Sequence, residues 1–199
     1  MAEEFSMQGK VALVTGASSG FGAHFCRQLA ARGAAVVACA RRVERLQALV
    51  AEIEAAGGRA IAVAMDVTDR SSIEAGFDAA EQHFGTVTVI ANNAGVAQTK
   101  AALEIDEADW DYVMDANLKA VFAVAQSGAR RMVAAAVAGA IVNVASILGL
   151  AVGPGLSSYA ISKAGVVQLT KALALEFGRA NIRVNALCPG YCVTEMNHA

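Results

Sequence analysis

Short apolar runs alternate with longer amphipathic stretches along nearly the whole chain, a pattern of strands and helices taken in turn. Residues 10–15 read as a first strand ending at Gly16, and over 21–31 the apolar positions take a helical period until Arg32-Gly33 stops it. A second strand is expected over 34–40, then a helix with Val43, Leu46, Val50 and Ile53 on one face, closed by Gly57-Gly58. The alternation repeats with a strand over 60–65, a helix over 71–84, and a strand over 87–91 that leads into Asn92-Asn93-Ala94-Gly95. Beyond it come a long helical region over 106–137, a strand over 140–144, a helix over 158–177 and a strand over 183–187. The most apolar stretch, from Met132 through Ile141, is broken by Asn143, Ser146 and Pro154 before it reaches the roughly 18 residues of a membrane span, and reads as a buried helix followed by a buried strand.

Strands apolar on both faces, alternating with helices, imply a parallel sheet covered on both sides and joined by right-handed crossovers. The expected fold is α/β, a Rossmann-type doubly wound parallel sheet with helices on both faces. No linker or repeat divides the 199 residues, so one dinucleotide-binding domain over 1–199 is expected.

Composition narrows the partners. A chain that is 56% hydrophobic and 17% charged can bury enough apolar surface to fold. A formal charge of -2 without any block of like charges carries no nucleic-acid footprint and no polybasic membrane anchor. The opening Met-Ala-Glu-Glu-Phe-Ser is acidic and does not read as a secretory signal, so a cytoplasmic location is expected. Cys26, Cys39, Cys188 and Cys192 form no CxxC pair, and His24, His83 and His198 are scattered; reduced thiols packed as small apolar groups are expected, with no metal.

In a doubly wound sheet, ligands bind beyond the carboxyl ends of the strands. After the first strand stands Thr15-Gly16-Ala17-Ser18-Ser19-Gly20-Phe21-Gly22, a glycine turn feeding a helix N-terminus whose free amides and dipole suit a pyrophosphate. Its spacing is GxxxGxG, and a plain tight turn is the alternative. After the second strand, Arg41 and Arg42 replace the carboxylate that would hold the ribose hydroxyls of NAD. Two cations at a helix start oppose its dipole unless an anion joins them, which points to the 2′-phosphate of NADP(H), with NAD(H) as the second choice and two solvated arginines as the bland reading. Asp66 and Val67 follow the third strand, where the carboxylate either meets an adenine amino group or belongs to helix capping. Asn93, Ala94 and Gly95 follow the fourth, as room for a ribose or as an ordinary polar turn.

Tyr159 and Lys163 lie four apart and share a helix face, with Ser146 just beyond the fifth strand. A nearby ammonium would lower the phenol from its ordinary value of about 10 and make it a usable proton donor, while Ser146 could hydrogen-bond a substrate carbonyl. Taken alone, such a pair is equally an ordinary feature of a helix surface.

The set together resembles the classical short-chain dehydrogenase/reductase family, on Thr15 to Gly22, Asn92 to Gly95, Asn117, Ser146, Tyr159-Ala160-Ile161-Ser162-Lys163, Pro189-Gly190 and Thr194. The resemblance implies hydride transfer between a nicotinamide and a ketone or secondary alcohol, with Tyr159 exchanging the proton and Ser146 orienting the oxygen. It further implies that Lys163 holds the nicotinamide ribose, that Asn117 holds a water linking Lys163 to a proton relay, and that Pro189, Gly190 and Thr194 meet the carboxamide and phosphates. Arg41 marks NADP-preferring members, although some of these also carry a basic residue where this chain has Ser19. Members usually continue for several dozen residues past the Thr194 region, so the C-terminal lid and last strand are expected to be absent from this sequence, through omission rather than a truly short protein. A homo-oligomer, tetramer or dimer, is implied through the helices around 109–137 and 158–177. The substrate class implied is that of 3-oxoacyl-[acyl-carrier-protein] reductases, with sugar, polyol or steroid dehydrogenases as alternatives. A non-catalytic nucleotide-binding or structural subunit is the reading from another class, and the intact Ser146, Tyr159 and Lys163 count against it.

Overall fold

A computed structural model describes residues 5–193 and 195. Six parallel strands form one sheet: β1 (Val11–Thr15), β2 (Ala35–Ala40), β3 (Arg59–Ala64), β4 (Val89–Asn92), β5 (Gly139–Val144) and β6 (Ile182–Leu187), in the spatial order β3-β2-β1-β4-β5-β6. Leu13 stands opposite Val37 on one side and Ile90 on the other, so β1 lies at the centre and the chain reverses direction across the sheet there. Between the strands run α1 (Gly20–Ala31), α2 (Val43–Ala55), α3 (Arg70–Phe84), α4 (Glu107–Met114), α5 (Ala120–Ala134) and α6 (Ser157–Phe177).

Successive strand side chains point to opposite faces, and β1 sorts its residues accordingly. Ala12 and Val14 join Cys26 of α1 and Leu46 and Ile53 of α2 in one core layer. Val11 and Leu13 join Phe77 of α3, Val124 and Met132 of α5 and Leu173 of α6 in the other. The expected doubly covered parallel sheet is therefore present. The expectation of strands apolar on both faces holds for β1 and β2, which are buried throughout, and fails for β3 and β6 at the two ends of the order, where Arg59, Arg183 and Asn185 are exposed.

Other expectations shift in detail. The helix after β2 buries Leu46, Leu49 and Ile53, leaving Val43 and Val50 half-buried at the margin of the stripe. The fourth strand runs to Asn92, whose amide is buried and donates to the Val121 carbonyl at 2.8 Å. The long helical region expected over 106–137 is present over 107–134, with a π-helical turn at Asp115–Lys119 joining α4 to α5. The stretch after Met132 is not a buried helix end, since α5 stops at Ala134, Val133 is 58% exposed, and Ala136 turns the chain at φ 52°. Among the described residues no helix is long and apolar enough to cross a membrane, and no cluster of three or more potential ligands could hold a metal. Cys26 is buried, and burial pushes its thiol up to about 12.

Candidate functional site

A cleft of about 610 Å³ opens at the carboxyl ends of the strands. At one end its wall carries Arg41, Arg42, Asp66 and Val67; at the other it carries Ser146, Tyr159, Lys163, Pro189 and Gly190. The glycine turn and Asn93 to Gly95 lie between.

The turn after β1 is packed backbone on backbone. Gly16 has φ 66°, and a Cβ there would stand 2.8 Å from the Ala94 Cα; a Cβ on Gly22 would stand 2.3 Å from the Gly16 carbonyl oxygen. Ser19 precedes α1 in an extended conformation without capping it through its side chain, so the first amides of α1 have no side-chain acceptor from that residue. Thr15, which opens the glycine-turn motif, fixes the arrangement: its hydroxyl accepts from the amides of Asn93 (2.9 Å) and Ala94 (3.0 Å). A fully buried threonine at a strand end is the signal that could have found that role. The Asn93 side chain donates to the Thr15 carbonyl at 3.0 Å, so this amide braces the turn from below.

The two arginines after β2 differ. Arg41 is exposed at the cleft wall. Arg42 donates to the hydroxyls of Ser18 (3.1 and 3.0 Å) and Ser19 (2.9 Å), which brings both serines of the turn to one guanidinium. The capping expected of this stretch falls to Asp69, which accepts from the Ser71 amide at 2.8 Å at the start of α3. Asp66 instead accepts from the Thr68 hydroxyl (2.7 Å) and amide (2.9 Å), which hold its carboxyl below the usual range, with Arg41 adding to the effect.

At the other end, Lys163 is only 4% exposed, and its ammonium donates to the Val144 carbonyl at 2.8 Å. Burial pushes it down to about 8. It lies 5.7 Å from the centroid of the Tyr159 ring, so the helical spacing does bring the two heads together. The expected lowering of the phenol by that ammonium is not found. Burial raises Tyr159 above its ordinary value, and the group pulling it back down is the Ser146 hydroxyl. The Lys163 nitrogen is anchored on the Val144 backbone carbonyl.

Ser146 begins a short turn at Ile147–Gly149 and accepts from the Leu148 amide at 3.1 Å. Gly149 lets that turn rest on α6, since a Cβ there would come within 2.8 Å of the Lys163 backbone. Asn117 sits in the π-helical turn with three side-chain bonds: it donates to the Val96 carbonyl (2.9 Å) and the Ser162 hydroxyl (3.1 Å) and accepts from the Val96 amide (2.8 Å). Its amide thus pins the loop after β4 to α6. The segment after β6 is tied to Ser146 through the Ile147 amide, which donates to the Pro189 carbonyl at 2.8 Å. Thr194 lies outside the described residues.

The sequence profile that matches residues 10–199 is that of the short chain dehydrogenases. The chain belongs to the short-chain dehydrogenase/reductase family. This short-chain dehydrogenase is 40% identical over 190 residues to a 3-oxoacyl-[acyl-carrier-protein] reductase of Thermotoga maritima, spanning 96% of this chain and 77% of the relative. It is 45% identical over 188 residues to a cis-4-hydroxycyclohexanecarboxylate dehydrogenase of Sinomonas cyclohexanicum, with 94% and 75% covered. Among solved structures it matches a short-chain dehydrogenase/reductase of Mycobacterium marinum with a TM-score of 0.96 at 35% identity, covering all of this chain and 79% of that one. An actinorhodin polyketide ketoreductase crystallised with NADPH matches with a TM-score of 0.90 at 40% identity, with 94% and 72% covered. As a member of this family the chain is an oxidoreductase that uses a nicotinamide cofactor on a small-molecule substrate.

Proposed function

We propose that this short-chain dehydrogenase is a cytoplasmic enzyme that reduces a ketone, or oxidises the matching secondary alcohol, with NADP(H). The observation that carries the reading is one cleft with Arg41 and Arg42 at one end and Ser146, Tyr159 and Lys163 at the other. The cofactor fits the residues between them: Gly16 and Gly22 leave a cradle that a Cβ would fill, and the amides opening α1 face it. Arg41 and Arg42 would hold the 2′-phosphate, and Asp66 with Val67 the adenine. The glycine turn would hold the pyrophosphate, Lys163 the nicotinamide ribose, and Pro189, Gly190 and Thr194 the carboxamide and phosphates.

When bound, the nicotinamide supplies a hydride to the carbonyl carbon or takes one from the alcohol. Ser146 donates to the carbonyl oxygen and Tyr159 delivers the proton to that oxygen as negative charge develops on it. A phenol raised by burial is fully protonated at neutral pH, which suits the donor in the reductive direction. Lys163 leaves the phenol's own titration unaltered; its ammonium, 5.7 Å from the centre of the ring, would instead hold the nicotinamide ribose and return a proton to Tyr159 through the relay water. Both amide hydrogens of the Asn117 side chain are committed, so Asn117 would hold a relay water as an acceptor, through a carbonyl oxygen. Lys163, buried in the cleft wall and lowered to about 8 by that burial, favours a working site over a non-catalytic subunit.

The relatives support a carbonyl substrate, and the apolar cleft residues Val96, Ala97, Ile147, Leu148 and Leu156 suit a largely uncharged one, with 3-oxoacyl thioesters as the first class to try. Exposed Phe122 on α5 and Ile161 on α6 give those helices apolar surface for a homo-oligomer, checked by sedimentation. Purified protein is expected to consume NADPH when given an activated ketone or acetoacetyl thioester; failure with every carbonyl and alcohol offered would end the reading.

Two further results are expected. Arg41→Ala should weaken NADPH binding by about 10- to 100-fold, the worth of a hydrogen bond to a charged group, and leave NADH nearly unchanged. Equal weakening of both cofactors would remove the 2′-phosphate assignment. Lys163 is protonated below about 8 and neutral above it, so the reductive rate at saturating NADPH should fall as pH rises through that value, when the proton it returns to Tyr159 is lost. A rate constant up to pH of about 10, where free lysine titrates, would contradict this.

A further inference from the structure

Glu195 comes from the segment after β6, yet its carboxylate is clamped on the N-terminal turn of α2. One oxygen takes Nη1 of Arg42 at 3.1 Å and the other takes Nη1 of Arg45 at 2.5 Å. Arg42 thus carries three oxygen partners at once, the hydroxyls of Ser18 and Ser19 and this carboxylate, while Arg41 beside it faces the open cleft. Arg42 and Glu195 both line the same end of the cleft as Asp66, whereas Arg45 stands behind them on α2.

We propose that Glu195 is a tethered stand-in for the 2′-phosphate of NADP(H): its carboxylate holds Arg42 until a phosphate displaces it, and this competition sets how strongly the enzyme prefers NADP(H) to NAD(H). The inference rests on the NADP(H) reading above. An anion placed against Arg41 and Arg42 with Glu195 still seated would set two negative groups on one guanidinium, so one of them must leave. The carboxylate is the weaker holder. Glu195 and both arginines are about half exposed in these pairs, and exposed ion pairs are each worth less than about fivefold in an equilibrium. A phosphate monoester brings close to two charges and three strong acceptors. Ser18 and Ser19 keep Arg42 turned toward the glycine turn whichever anion it carries, so the exchange does not require the guanidinium to reorganise. The ribose hydroxyls of NAD(H) bring no charge to the same place and leave Glu195 on Arg42. Pro189 remains tied to Ile147, so displacement frees the segment at its far end and leaves the catalytic end seated.

The test is a calorimetric titration of the whole chain at low salt with adenosine 2′,5′-bisphosphate and with 5′-AMP, comparing wild type, Glu195→Gln and Glu44→Gln. Glu44 is an exposed acid in the same first turn of α2 and controls for the general effect of losing a negative charge. Glu195→Gln is expected to tighten the bisphosphate about three- to tenfold, to leave 5′-AMP within about twofold, and to lose most of its advantage as salt rises toward 1 M. Glu44→Gln is expected to change neither ligand by more than about twofold. Unchanged or weaker bisphosphate binding in Glu195→Gln overturns the inference, because Glu195 would then be arranging the arginines for the phosphate. Equal tightening in Glu44→Gln overturns it as well. A wild type that binds 5′-AMP as tightly as the bisphosphate is a different failure, since it removes the NADP(H) reading on which the inference stands. Melting curves of the three proteins should coincide closely, as both substituted side chains are exposed.

Discussion

Tyr159→Phe is expected to lower NADPH-linked carbonyl reduction by about 10²- to 10⁴-fold, the usual worth of a positioned general acid, while leaving NADPH binding within about twofold. The substitution removes one oxygen and keeps the ring, so the aromatic face above the Lys163 ammonium stays in place. It also removes the group whose burial raises it and whose partner is Ser146, so the substrate oxygen would keep one donor in place of two. Steady-state rates with a fluorescence titration of the cofactor check the two halves separately. An unchanged rate would mean that the proton comes from elsewhere, and a lost cofactor affinity would mean that Tyr159 holds the cofactor more than it serves the chemistry.

Much of this site could be read along the chain because a parallel sheet places every strand-to-helix turn at the same edge. Gly16 after β1, Arg41 after β2, Asp66 after β3, Asn93 after β4 and Ser146 after β5 are remote in sequence and meet at one cleft for that reason alone. The four-residue spacing of Tyr159 and Lys163 was legible in the same way, as a helix period. What the spacing could not convey is where a flexible side chain ends. The Lys163 nitrogen reaches the Val144 carbonyl, on the neighbouring strand, and leaves the titration of the tyrosine unaltered where the sequence implies a lowering. The π-helical turn at Asp115–Lys119 was equally hidden, because its apolar positions fit an uninterrupted helix; only the three hydrogen bonds of Asn117 to Val96 and Ser162 show what the turn is for. The role of Thr15 within its motif, and Glu195 altogether, were not legible because each makes its contact with a residue far along the chain.

Gly22→Ala should abolish measurable NADPH binding, weakening it by more than about 100-fold, and should also lower stability by about 1–3 kcal/mol as an overpacked site does. The added Cβ would stand 2.3 Å from the Gly16 carbonyl oxygen and 2.8 Å from the Asn93 amide nitrogen. Neither neighbour is a free side-chain end: Gly16 is held in the turn, and the Asn93 amide is bonded to the Thr15 carbonyl. The first turn of α1 must therefore tilt away from the glycine turn, which separates the helix amides from the cradle that would take the pyrophosphate. Gly57→Ala is the matched control. Gly57 has φ 81°, so alanine there is strained by about 1–2 kcal/mol, but nothing lies within 4 Å of the added Cβ and the residue is far from the cleft wall. The two variants should thus lose similar amounts of stability in a denaturant titration and differ in the cofactor titration, where only Gly22→Ala fails. If Gly22→Ala still bound NADPH normally, the close contact of α1 with the turn would have no part in holding the cofactor.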